Sequence, residues 1–177
     1  MNFSMRGVKA SEEFNSHEMV IGSMPKDSDN ALIGRCGLYC GACPIYLSDS
    51  LSEELKHKVS EEWGVDLDKS GCKGCNDLTP ECVGSKCKIV VCLNSKNISS
   101  CFDCDRYQLE NCERFEKTYH MCLESSGIDL RQSLERLNAG GTDQWLEKNR
   151  QMWVCKSCGT KISWDCSTCD KCGEPLR

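Results

Sequence analysis

Cysteines spaced two residues apart constrain this chain more than any other feature. They stand at Cys40 and Cys43, Cys72 and Cys75, Cys101 and Cys104, Cys155 and Cys158, and Cys169 and Cys172, with Cys36 and Cys166 extending two of the groups. The intervening turn points both sulfurs the same way, so two thiolates can grip one metal ion. Seventeen of the 177 residues are cysteine, and an odd count fits a closed disulfide set poorly.

The need for such a staple follows from the thin supply of apolar residues. The hydrophobic fraction is 39% with the cysteines included, and small domains with thin cores are held by disulfides or metals. Disulfides require export. Residues 1–30 contain no apolar run of signal-peptide length, and no stretch approaches the roughly 18 apolar residues of a membrane span. The reading is therefore a reduced, cytoplasmic, metal-binding protein with no membrane association. The formal net charge is −5, and four thiolates on a dication leave a further −2 per site. That balance argues against nucleic acid as a partner.

The expected fold class is small α+β: a metal-stabilised, cysteine-rich helical and loop domain with a C-terminal zinc ribbon. Residues 1–30 read as a disordered tail, 31–125 as the cysteine-rich metal-binding domain, 126–152 as a helical linker and 153–177 as the ribbon. Leu51, Leu55, Val59 and Trp63 recur by four and predict a helix that Ser52 opens and Gly64 stops. Cys112, Phe115, Tyr119 and Cys122 predict a second helix over about 106–124, and Leu130, Leu134 and Leu137 a third over about 129–138. Thr142 reads as the N-cap of a short helix through Trp145 and Leu146. Residues 70–105 show little periodicity; their one apolar run is at Ile89-Val90-Val91, and the segment is expected to fold around metal.

The C-terminal unit gives the sharpest signal. Cys155-Lys156-Ser157-Cys158-Gly159 and Cys169-Asp170-Lys171-Cys172-Gly173 are two knuckles separated by a short strand-like stretch, as in a zinc ribbon. Glycine after the second cysteine permits a left-handed backbone that aims amide groups at the sulfurs. Cys155, Cys158, Cys169 and Cys172 complete a closed set, which reads as structural rather than catalytic zinc. Lys156, Lys161 and Lys171 are expected to soften the thiolate charge. Cys166 is surplus and reads as a free thiol.

The N-terminal cysteines leave three readings open. Cys36-x3-Cys40-x2-Cys43 has the spacing of a radical-SAM cluster, but the following chain lacks the alternating strands and helices of the barrel such enzymes need. Pro44 after Cys43 is the ending of a ferredoxin run, although the full order is absent. Zinc is the third: Cys36, Cys40, Cys43, Cys72, Cys75, Cys82, Cys87, Cys92, Cys101, Cys104 and Cys112 supply eleven thiols in the region 36–112. Cys122 lies on the core face of a predicted helix, where free cysteine is an ordinary buried residue. His17, His57 and His120 are the three histidines, and each reads more simply as solvated or core-edge than as a ligand. No phosphate loop, nucleophile elbow or HExxH helix is present.

The run Cys36-Gly37-Leu38-Tyr39-Cys40-Gly41-Ala42-Cys43-Pro44-Ile45-Tyr46 resembles the opening of an uncharacterised bacterial and archaeal cysteine-rich family, the domain of unknown function 3795. Cys72-Lys73-Gly74-Cys75 resembles that family's central CxGC. Cys87 to Cys92, Lys96-Asn97-Ile98 and Cys101-Phe102-Asp103-Cys104 resemble its later stretch, and Cys112 its following cysteine. The likeness extends to Gln144-Trp145-Leu146 and to the terminal ribbon of some members. Asn97 departs from the pattern by standing where glycine is expected. Cys82 is displaced by a longer gap to Cys87, and Cys122 and Cys166 are extra. The resemblance implies metal binding and supplies no activity. The functional expectation is a zinc-binding structural or accessory module with an unknown protein partner, leaning away from an enzyme. The alternative is an iron–sulfur protein of a redox system.

Overall fold

The computed structural model describes residues 29–67, 72–108 and 111–176; the expected N-terminal tail and His17 lie outside them, apart from the last residues of that span. Six α-helices carry the described fold: α1 (Glu53–Trp63), α2 (Lys88–Lys96), α3 (Asp105–Gln108), α4 (Glu113–Ser126), α5 (Leu130–Asn138) and α6 (Thr142–Met152). The expected β component is not found at that scale. Among the described residues, extended pairing is limited to isolated bridges at Ile33–Tyr39, Val154–Lys161 and Thr168–Pro175. The short knuckles leave room for only one bridge beside each pair of cysteines. None of the described helices is long and apolar enough to cross a membrane.

Helix boundaries follow their local chemistry. The Ser52 hydroxyl accepts from the Leu55 amide at the start of α1, and Gly64 closes the helix in the left-handed region at φ 63°. Asp129 caps α5 by accepting from the Gln132 amide. The helix expected over 106–124 is instead two: α3 ends at Gln108, and α4 starts after Cys112. Helix α2 is absent from the sequence-based expectation. Its Ile-Val-Val run favours strands by propensity, but Ile89, Val90 and Leu93 recur at helical spacing and are buried. Asn97 closes α2 at φ 53°. Asparagine, which stands where the resemblance leads glycine to be expected, is the residue next most tolerant of the left-handed region.

Apolar side chains gather in separate clusters. One joins Ile89 and Leu93 of α2, Tyr107 of α3, Phe115 and Cys122 of α4, and Leu130 and Leu134 of α5. Cys122 is 0% exposed, a core residue as expected. A second joins Leu32, Tyr39 and Ala42 to Trp145, Leu146, Trp153 and Trp164, with Tyr39 edge-on to Trp145 at 5.9 Å. A third, small cluster holds Ile45, Val59 and Leu67, with Cys43 and Cys72 at its margin.

The C-terminal unit docks on the rest of the chain rather than merely following it. The Trp164 amide donates to the Ala42 carbonyl at 3.0 Å. The Asp170 carboxylate accepts from the Ser52 amide at 2.8 Å and from its hydroxyl at 2.5 Å. A carboxylate at the N-terminus of α1 also complements the helix dipole.

Candidate metal centre

Each C-terminal knuckle is a tight loop closed by backbone bonds in the same pattern. The Cys155 amide donates to the Thr160 carbonyl, and the Gly159 amide to the Cys155 carbonyl, both at 2.8 Å. Cys169, Glu174 and Gly173 repeat those bonds at 2.8 Å. The repeat requires Gly159 and Gly173 at φ 71° and 73°, a region that costs a residue with a Cβ roughly 1–2 kcal/mol. The motif's glycines therefore do what the sequence predicts of them.

The two loops bring four sulfurs together. The Sγ atoms of Cys155, Cys158, Cys169 and Cys172 all lie within 4.8 Å of one another. Cys155 stands 3.6 Å from Cys172, and Cys158 3.6 Å from Cys169. A tetrahedral ion bonded to sulfur at about 2.3 Å separates its ligands by about 3.8 Å, so this spacing can hold one metal ion without rearrangement. Cys155 and Cys169 are buried, Cys158 is half-buried and Cys172 is exposed. Cys166 stays outside the quartet; burial and the neighbouring Asp165 carboxylate hold its thiol above the ordinary value.

Electrostatics at the quartet favour a cation. The Thr160 hydroxyl and amide stabilise the Cys158 thiolate and bring that thiol down to about 6. The Glu174 amide likewise favours a thiolate at Cys172. Loss of solvation and the sulfurs of Cys158, Cys169 and Cys155 outweigh it and push that thiol up to about 12. Four like charges at this spacing cannot coexist without a counter-charge between them, and a bound dication supplies it. Thr160 was not singled out in the sequence, where two residues after Cys158 is its one signal. Lys156, expected to soften the thiolate charge, donates instead to the Gln151 carbonyl at the end of α6, at 2.7 Å.

The eleven thiols of the region 36–112 are arranged differently. Among the described residues, no second group of three Cys, His, Asp or Glu ligand atoms converges within 4.8 Å. Pairs do meet. Cys40 donates to the Cys75 sulfur, which raises the Cys40 thiol well above its usual value and brings Cys75 down to about 7, helped by Arg35. Burial and a sulfur contact with Cys82 raise Cys72 to about 12. Cys43, near Cys75, rises to about 11 through burial. Burial also raises Cys36, whose neighbours are Cys75, Cys101 and Cys87. Cys101 is held at about 12 by burial, with Cys112, Cys104, Cys92 and Cys87 around it. Thus Cys82 meets Cys72, while Cys87, Cys92 and Cys112 lie in the neighbourhood of Cys101. His57 and His120 lie on helix surfaces beside Glu61 and Glu116.

Fold and site together define a cysteine-rich, mostly helical protein with a four-cysteine group able to bind a metal ion. Residues 32–117 match the family model described as Protein of unknown function (DUF3795), the family that the Cys36–Tyr46 run resembles. The match ends before the C-terminal cysteines, whose geometry is compatible with a zinc-ribbon-like segment. No curated protein and no solved structure matches the chain.

Proposed function

We propose that this is a zinc protein of the reducing cytoplasm, in which metal sites build and hold a surface for a protein partner rather than a reaction centre. The observation that carries the reading is the closed quartet of Cys155, Cys158, Cys169 and Cys172, with opposed sulfurs 3.6 Å apart. Four thiolates fill a tetrahedral ion and leave no position for water or substrate, the signature of structural zinc. The docking of Trp164 and Asp170 onto Ala42 and Ser52 supports it further, because a metal that folds the ribbon also fixes a surface shared with the rest of the chain.

An iron–sulfur centre in the region 36–112 is the second reading. It is favoured by thiols that gather without closing to the spacing of a single ion. Anaerobic purification followed by zinc, iron and acid-labile sulfide counts per chain separates the two. Colourless protein with zinc near stoichiometric supports the first. Iron with matching sulfide and visible absorbance replaces it for that region.

A further inference from the structure

We propose that Cys92, Cys101, Cys104 and Cys112 form one metal-binding centre, charge-balanced by Lys96 and Arg114. The proposal rests on the reading that the N-terminal cysteines are ligands, and adds which four act together.

Three elements supply the thiols. Cys92 stands on α2, Cys101 and Cys104 flank one tight turn, and Cys112 is the residue from which α4 starts. Helices α2 and α4 touch. Cys101 and Cys104 belong to the cluster that α2, α4 and α5 enclose, and Cys112 lies at its edge. The Cys101–Cys104 turn is fixed at both ends. The Ser100 hydroxyl and the Asp103 carboxylate cap it reciprocally, and the Cys101 amide donates to the Arg35 carbonyl at 2.9 Å. Arg114, two residues after Cys112, reaches the Cys92 sulfur, and Lys96, one helical turn on from Cys92, reaches the Cys104 sulfur.

The cations distinguish this group from a chance collection of buried cysteines. The Lys96 ammonium donates to the Cys104 sulfur at 3.0 Å, and the Arg114 guanidinium lies 3.8 Å from the Cys92 sulfur. Either contact alone is an ordinary surface contact. Together they place two positive charges on a set of thiols that, bound as thiolates to a dicationic centre, carries −2. The four sulfurs are not drawn within 4.8 Å of one another, unlike those of the ribbon. A single ion has to pull the cap at Cys112 and the 101–104 turn inward, whereas a polynuclear cluster seats its ligand sulfurs on a larger frame. Both are thiolate-bound cationic centres, and the metal count tells them apart.

The test uses the full chain purified anaerobically. Zinc, iron and sulfide are counted in the wild type and in the C101S/C104S double variant. The expected result is loss of one whole centre, either one zinc or all the iron and sulfide, with the ribbon's metal retained. Unchanged metal content overturns the assignment. Cadmium-113 substitution of the native sequence avoids any folding defect. Correlations from the β-protons of all four cysteines to one cadmium resonance support the centre, and correlations to different ions overturn it. The K96Q/R114Q variant should release this centre's metal to a chelator about tenfold more readily or worse, as expected for lost outer-shell partners, with the ribbon unaffected. Wild-type protein with a single metal per chain defeats the ligand reading itself, and the assignment with it.

Discussion

Replacing Trp164 with alanine tests whether the C-terminal unit is docked or merely tethered. Trp164 is 6% exposed and lies among Leu32, Tyr39, Ala42, Trp145, Leu146 and Trp153. A buried aromatic ring covers about 150–250 Å², worth about 4–6 kcal/mol at about 25 cal/mol per Å² as an upper bound. Measured truncations of this kind cost about 3–5 kcal/mol. Against a total of about 5–15 kcal/mol, that lowers the folded population ratio a hundredfold or more. All four ribbon cysteines remain, so the metal count should not change. Urea unfolding followed by far-UV circular dichroism gives the stability loss, and amide hydrogen exchange locates it. Protection should fall in residues 31–47 as well as in 153–176, because the Trp164 ring packs in one cluster with Leu32, Tyr39 and Ala42. A loss below about 1 kcal/mol, or exchange confined to 153–176, refutes the docking argument.

Four further outcomes are expected. Cys155→Ser should remove one metal per chain, read by native mass spectrometry, because three thiolates no longer close the tetrahedral set. Asn97→Gly should raise stability by a few tenths up to about 1 kcal/mol, read as a shifted urea midpoint, since it relieves a left-handed residue at φ 53°. Gly74→Ala should destabilise by about 1–3 kcal/mol, because its Cβ would fall 1.9 Å from the Ala31 carbonyl oxygen at φ 95°; an unchanged melting temperature would show that the loop does not press on Ala31. Cys122 should resist iodoacetamide in the folded protein up to alkaline pH and react on unfolding, as burial raises its thiol. A raised thiol pKa contributes stability below the unfolded value and loses it as pH rises through the folded one, so unfolding and labelling should rise together on the alkaline side.

Much of the local structure was legible in the chain. Ser52 and Gly64 bound α1 because a hydroxyl N-cap and a left-handed glycine act within a few residues. The leucine period places α5 over about 129–138, and the structure adds Asp129 as its cap. Helix α2 was not legible, since Ile89-Val90-Val91 has strand propensity and only burial against α4 and α5 selects the helix. The break between α3 and α4 was missed because Cys112 and Cys122 fit one continuous period.

The division is clearest among the cysteines. Sequence alone determined the ribbon quartet, because two knuckles with short spacing and terminal glycines close on themselves; the left-handed φ values of Gly159 and Gly173 are intrinsic to the motif. It also determined that Cys122 is core, because periodicity places it on an apolar face. Only the tertiary structure decided which distant thiols become neighbours. Cys40 meets Cys75 because segments far apart in sequence are brought together, and Cys72 meets Cys82 by the folding back of one irregular stretch. Likewise Arg114 reaches the Cys92 sulfur only because α2 and α4 touch, which no spacing along the chain encodes.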